Sequence, residues 1–96
     1  MIHALVLPLV RRAILDLMND IGGEHNDDVL SQLLVRLGHR VARRDVADQL
    51  RWLAAENLIR VEELDPYLVA RIRADGRDVA EGRLLVEGIS KFKTGD

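Results

Sequence analysis

The chain has 96 residues, of which 48% are hydrophobic and 31% are charged, and it contains no cysteine. These totals fit one small globular domain with an aliphatic core, and they exclude disulfides and thiolate metal sites. The 14 basic and 16 acidic residues give a net charge of −2, whereas DNA-binding modules are usually basic.

The first predicted helix covers PLVRRAILDLMND (8–20), where apolar residues recur at helical spacing and Pro8 suits the first turn. Gly22 and Gly23 then form a linker. The apolar start, residues 1–8, is much shorter than the roughly 20 residues of a membrane span, and no basic segment precedes it. We therefore expect a cytoplasmic protein without a signal peptide, whose apolar arm packs on a second subunit or on its own domain.

Two further helices are predicted in the middle of the chain. DDVLSQLLVRLG (27–38) repeats the amphipathic pattern, and Asn26 or Asp27 can cap its start. A tight connection leads to a third helix over about residues 42–56. Asn57 can adopt the left-handed conformation that ends this helix.

A β-hairpin and a short helix follow. LIRVEEL (58–64) and YLVARIRA (67–74) alternate apolar and polar residues, and Asp65-Pro66 between them is typical of a turn. DGRDVAEGRLL (75–85) is predicted to form the fourth helix. Trp52, the only tryptophan, is expected to lie half-buried against the hairpin.

The order helix, helix, helix, hairpin, helix predicts a mostly α fold with a β-hairpin, the winged helix-turn-helix. The second and third helices would form the helix-turn-helix, and the hairpin would be the wing. We expect one domain over residues 1–88, with the apolar arm at 1–8, and a flexible tail over residues 89–96.

Four segments resemble a known family: RRAILDLM, LLVRLGHRVARRDV, LRWLAAENLI and DGRDVAEGR. Over about residues 9–88 the chain is similar to small proteins of Mu-like phages and prophages, within the broad MarR/ArsR-like winged-helix superfamily. The resemblance implies a winged helix-turn-helix fold and a regulatory role in a phage. Ala42 and Asn57 depart from the family pattern, which typically has Ser and Gly at these helix ends.

The third helix is the candidate DNA reader. From Arg36 to Arg60 the chain carries six arginines against three carboxylates, so the basic charge is concentrated around this helix. Arginine reads guanine and pairs with phosphate, and Gln49 could contact adenine if it faces outward. Asp48 could reject some bases or orient Arg44. The predicted DNA-binding residues are Arg40, Arg43, Arg44, Asp48, Gln49, Arg51, Tyr67 and Arg71.

The acidic hairpin favours a different function. Glu62, Glu63 and Asp65 lie on its first strand and turn, where they would repel a phosphate backbone unless Arg71 and Arg73 neutralise them. Two predictions therefore stand side by side. One is a homodimeric regulator of phage or prophage type that binds double-stranded DNA, and the other is an assembly module of phage development that binds a protein through the acidic wing.

No catalytic or cofactor motif is present. The three histidines lack metal-ligand spacing, and the chain has neither a phosphate-binding glycine motif nor a nucleophile–base pattern. Neighbouring Asp27 and Asp28 point in different directions on a helix and are expected to stabilise its start. We predict no enzyme, no cofactor and no metal.

Overall fold

Four α-helices and three short β-strands form the fold over residues 2–93, the part of the chain that the computed structural model describes. In chain order the elements are α1 (Leu7–Ile21), β1 (Glu24–Asn26), α2 (Asp27–Arg36), α3 (Arg43–Ala55), β2 (Ile59–Leu64), β3 (Tyr67–Ile72) and α4 (Ala74–Ala80). The predicted order of three helices, a hairpin and a fourth helix is confirmed. Strand β1 is an addition that the sequence analysis did not predict.

The helix ends follow the local chemistry of the sequence. Pro8 lies in the first turn of α1, and the Asn26 side chain caps α2 by accepting a hydrogen bond from the Val29 N–H at 2.8 Å. Ala42 provides no side-chain cap to α3. Asn57 has φ 61°, the left-handed conformation expected after the third helix.

The three strands form one antiparallel sheet in the order β1–β3–β2. Strands β2 and β3 are the predicted hairpin, joined at Asp65 and Pro66, and Leu64 is paired with Tyr67 beside the turn. Strand β1 pairs with the far side of β3, with Glu24 opposite Arg71. The sheet therefore connects the start of α2 to the hairpin.

A single aliphatic core lies between the helices and the inner face of the sheet. Its largest fully buried side chains come from α1, α2, α3 and the start of β2, and they are Val10, Ile14, Leu15, Met18, Leu30, Leu34, Val46, Leu50, Leu53, Leu58 and Ile59. Leu68, Ala70 and Ile72 of β3 complete the core. Burial of this surface drives folding and holds α3 against the sheet.

The N-terminal arm and the segment after α4 both pack against this domain. In the N-terminal arm, Ile2 and Val6 contact the core, while Leu5 is 80% exposed. After α4 the chain returns along α1, where the Ser90 N–H donates to the Pro8 carbonyl oxygen at 3.1 Å. Residues 94–96 of the predicted tail lie outside the described residues. Within residues 2–93, no helix has the length and apolar character needed to cross a membrane.

Candidate nucleic-acid interface

Helix α3 presents its N-terminal half to the solvent. Val46, Leu50 and Leu53 face the core, so the helix packs on α2 and β2. Its other side, together with the turn before it, forms an open concave surface lined by Asp27, Ala42, Arg43, Arg44, Ala47, Asp48 and Arg51. Four of these residues belong to the predicted DNA-binding set.

Arg43 is held by contacts inside the protein. Its Nε donates to Asp27 Oδ2 at 3.0 Å, and its second guanidinium nitrogen donates to the Pro66 carbonyl oxygen at 2.7 Å. The guanidinium also lies over the Tyr67 ring, 4.8 Å from its centroid. Arg43 thus joins the starts of α2 and α3 to the turn of the hairpin.

Asp27 is the buried centre of this network. Its Oδ1 accepts a hydrogen bond from the Leu68 N–H of β3 at 3.0 Å, while Oδ2 accepts from Arg43. Burial raises the pKa of Asp27, but the hydrogen bonds from Arg43 and the Leu68 N–H outweigh it, so the pKa lies below its ordinary value. The sequence analysis assigned Asp27 to the start of α2 and missed its partners across the domain.

Arg51 joins α3 to the first strand of the hairpin. One guanidinium nitrogen donates to Glu63 Oε1 at 3.1 Å, and another lies 3.5 Å from Asp48 Oδ1. Asp48 therefore pairs with Arg51, and we find no pair with Arg44, which the sequence analysis suggested. The contact between Arg51 and Glu63 neutralises part of the acidic hairpin.

Near α3, two of the predicted arginines remain available to a ligand. Arg44 on α3 and Arg40 in the preceding turn are exposed, and neither makes an ion pair or side-chain hydrogen bond with any residue of the range 2–93. Arg44 is the second residue of α3, and Arg40 precedes it by four positions in the chain. A guanidinium in this state can bind phosphate or a base edge without first breaking an internal contact.

Gln49 faces away from this surface, so the condition for its contact with adenine is not met. Its Oε1 accepts a hydrogen bond from Arg11 Nε of α1 at 2.8 Å. Arg11 also stacks on Trp52, 3.9 Å from the ring centroid, and donates to the Gly88 carbonyl oxygen at 3.0 Å. Trp52 is half-buried, as expected, and it lies against Arg11 and Gly88.

The two predicted residues of the hairpin are separated in space. Tyr67 lies at the turn beneath Arg43 and is 41% exposed. Arg71 lies opposite Arg60 on β2 and Glu24 on β1. Because side chains alternate along a strand and Ala70 and Ile72 face the core, Arg71 lies on the outer face of the sheet, away from α3.

A second groove runs between α3 and the hairpin. It is lined by Asp27, Ala47, Arg51, Glu63, Asp65, Pro66, Tyr67 and Leu68. Its three carboxylates outnumber its one arginine. The basic part of the α3 surface is therefore the side toward Arg40 and Arg44, and the side toward the hairpin is acidic.

The pair Arg11 and Arg12 has structural functions that sequence reasoning missed. Arg12 is 4% exposed, and its Nε donates to Asp16 Oδ1 at 2.9 Å. The same guanidinium donates to the carbonyl oxygens of Ala80 at 2.9 Å and Ser90 at 3.2 Å. These contacts hold the chain after α4 against α1. The available signal in the sequence was the i,i+4 spacing of Arg12 and Asp16 on the predicted first helix, which suits an ion pair.

Two of the three histidines make local contacts. His3 Nδ1 accepts from the Leu5 N–H at 3.1 Å, and His25 Nε2 lies 2.6 Å from the Gly22 carbonyl oxygen. Within the described part of the chain, no three His, Asp or Glu side chains are grouped so that they could hold a metal ion.

The chain is similar in sequence to a phage protein. It is 38% identical over 81 residues to the protein named "Uncharacterized protein gp26" of Escherichia phage Mu, and the match covers 84% of each chain. The chain belongs to the same family as this small protein of phage Mu. No protein-family profile and no solved structure matches it. The predicted relationship to small phage proteins is confirmed, and the name of the relative states no activity.

Proposed function

We propose that the chain is a winged helix-turn-helix domain that binds double-stranded DNA through the start of α3 and regulates transcription for a phage or prophage. The order of elements supports this fold, since α2, a tight turn and α3 are followed directly by the hairpin of β2 and β3. Pairing of β1 with β3 completes the small sheet on which α2 and α3 rest. The family relationship to a phage Mu protein supports the phage setting, and we place the function in the cytoplasm, where phage DNA is transcribed.

The observation that carries the proposal is the exposed pair Arg40 and Arg44 at the start of α3. In helix-turn-helix proteins the N-terminal residues of the second helix contact base edges in the major groove. Arg44 is the residue assigned to base reading, and Arg40 the residue assigned to the phosphate backbone. Arg43 is assigned to positioning, because its guanidinium is occupied by Asp27 and Pro66.

The test is binding to pooled random DNA duplexes at two salt concentrations. We expect salt-sensitive enrichment of one sequence motif by the natural chain, since each phosphate contact releases counterions. Arg40→Ala/Arg44→Ala should abolish the enrichment. The matched control is Arg73→Ala/Arg77→Ala, which removes two exposed positive charges near α4 and should leave binding unchanged. Failure of the natural chain to bind DNA at low salt would overturn the proposal.

The hairpin favours a second candidate, a protein-binding module of phage development. Leu64 and Tyr67 beside its turn are 52% and 41% exposed, and Glu62 and Asp65 add negative charge. Such a surface fits a partner protein with a basic and apolar patch better than it fits phosphate. Under this candidate, Leu64→Ser should abolish capture of the partner, while Arg40→Ala/Arg44→Ala should not affect it.

A further inference from the structure

Strand β2 leaves one side of the sheet open. In the order β1–β3–β2 it has a neighbour on one side only. The Arg73 N–H donates to the Leu58 carbonyl oxygen at 3.0 Å, which fixes the alternation of the antiparallel ladder. In the register of the hairpin, the backbone groups of Arg60 and Glu62 then face β3, whereas those of Val61 and Glu63 face outward.

The outward backbone groups of β2 are free to pair with another strand. Within residues 2–93, no backbone hydrogen bond joins β2 to anything except β3. An unpaired edge of this kind is a template for a further strand. The other edge of the sheet is β1, which has only three residues, Glu24–Asn26, so β2 is the edge long enough for stable pairing.

The charges on β2 select a second copy of β2 as the partner. Arg60 and Glu62 lie on the outer face of the sheet, because side chains alternate along β2 and its first residue, Ile59, is buried in the core. If two copies meet antiparallel with Val61 opposite Val61, Arg60 of each copy lies opposite Glu62 of the other. Shifts by two residues, which keep the same faces together, would oppose Arg60 to Arg60 or Glu62 to Glu62.

We propose that two copies of the chain associate through the open edges of β2, with Val61 at the two-fold axis. The hydrogen-bonding pattern fits this register, because Val61 faces outward and can exchange two hydrogen bonds with its counterpart. Arg60 and Glu62 then occupy non-hydrogen-bonded pairs, in which opposite side chains are closest. Glu63 is already paired with Arg51, so its opposition to Ile59 leaves no unpaired carboxylate.

The association places both α3 helices on the same side of one continuous sheet. A two-fold axis perpendicular to the sheet keeps the inner faces together, and α3 packs on the inner face of β2 in each copy. This arrangement suits a ligand with two-fold symmetry. The dimer is inferred from β2 alone, so it does not depend on DNA binding. It also differs from a dimer through the N-terminal arm, whose Ile2 and Val6 contact the core of their own domain.

The test uses charge reversal followed by analytical ultracentrifugation over a range of protein concentrations. We expect the natural chain to dimerise and Arg60→Glu or Glu62→Arg alone to weaken the dimer by about tenfold or more, since both symmetric pairs become like-charged. Mixing the two single variants should restore association as a heterodimer, because each pair then has opposite charges. The double variant Arg60→Glu/Glu62→Arg should dimerise with itself. The control Arg40→Glu makes the same chemical change in the exposed turn before α3 and should dimerise like the natural chain.

A second variant tests the backbone pairing itself. Val61→Pro removes an N–H that faces away from β3, so the hairpin should be retained while the dimer is lost. A natural chain that is monomeric at every concentration would overturn the proposal. A dimer that is unaffected by both single reversals would also overturn it and would locate the interface elsewhere. DNA binding by the monomeric variants is measured separately, so the loss of one property does not decide the other.

Discussion

Arg43 Nε and Asp27 Oδ2 lie 3.0 Å apart and connect the first turn of α3 to the first turn of α2. The two residues are 16 positions apart in the chain, and the same carboxylate also accepts from the Leu68 N–H of β3. The contact therefore sets the position of the hairpin relative to the exposed face of α3. An arginine that the sequence pattern assigns to DNA instead helps to build the surface on which DNA binding is proposed.

Asp27→Asn should lower the free energy of unfolding by about 1–3 kcal/mol, since a nearly buried charge-assisted hydrogen bond is weakened. Urea denaturation measures this change. Asp28→Asn is the matched control, because it removes the neighbouring carboxylate, which makes no side-chain hydrogen bond or ion pair with any residue of the range 2–93. The control should change stability by less than about 0.5 kcal/mol. Equal losses in the two variants would contradict the central role of Asp27.

The same carboxylate should make stability depend on pH in the acidic range. Because the pKa of Asp27 is lower in the folded chain than in the unfolded one, its contribution is fully present above the unfolded pKa, about 3.9. That contribution is lost as the pH falls through the lower, folded value. We expect stability, measured from about pH 5 down to about pH 2 where this carboxyl titrates, to fall less steeply in Asp27→Asn than in the natural chain. Parallel curves for the two proteins would exclude this titration.

The hydrophobic pattern of the sequence predicts the helices and the hairpin because each of these elements is long enough for its apolar residues to repeat several times at helical or strand spacing. Strand β1 has only three residues, Glu24–Asn26, and none is a strong strand former, so its pairing with β3 decides its conformation. The region around α3 was predicted as the candidate site, and Arg40 and Arg44 are exposed there. The contacts of Gln49 and Arg43 could not be predicted from the sequence, since their partners lie on α1 and at the start of α2, which only the tertiary fold brings near α3.

Arg12→Met should lower the free energy of unfolding by about 3–5 kcal/mol, because it leaves the buried Asp16 carboxylate without its partner. It should also release the chain after α4, which Arg12 holds through Ala80 and Ser90. Hydrogen exchange of the amide groups over residues 84–90 measures that release.

The double variant Arg12→Met/Asp16→Leu tests whether the loss comes from the unpaired charge. Removing both charged groups should recover part of the stability, since no buried carboxylate then lacks a partner. If the double variant is as unstable as the sum of both single changes, the backbone contacts of Arg12 dominate.

Gly76→Ala should destabilise the chain by about 1–3 kcal/mol through a direct clash. A Cβ at position 76 would lie 2.9 Å from the Ile72 side chain and still closer to the Leu58 carbonyl oxygen, so α4 would have to shift. Gly82→Ala is the comparison, because a Cβ there meets open space and only the φ of 81° is strained. We expect thermal unfolding to show the larger loss for Gly76→Ala, and the reverse order would contradict close packing of α4 on Leu58.

Alanine substitutions of the adjacent residues Arg43 and Arg44 should have different effects, because Arg43 is assigned to positioning and Arg44 to DNA binding. Arg43→Ala should lower the midpoint of thermal unfolding, because Asp27 and the Pro66 carbonyl lose their donor. Arg44→Ala should leave the midpoint unchanged, since its side chain is exposed and unpaired within residues 2–93. Under the proposed function, Arg44→Ala should weaken DNA binding by about tenfold or more, the effect of losing one base or phosphate contact.

Arg43→Lys distinguishes a positioning residue from a phosphate contact. Lysine keeps the positive charge, so binding would be largely retained if Arg43 touched the DNA backbone. It cannot reach Asp27 and the Pro66 carbonyl with one planar fork, so a positioning function predicts lower stability and a displaced hairpin, visible as shifts in the amide resonances of β2 and β3. Unchanged resonances in Arg43→Lys, with DNA binding retained in this variant but lost in Arg43→Ala, would assign Arg43 to the DNA backbone and not to the fold.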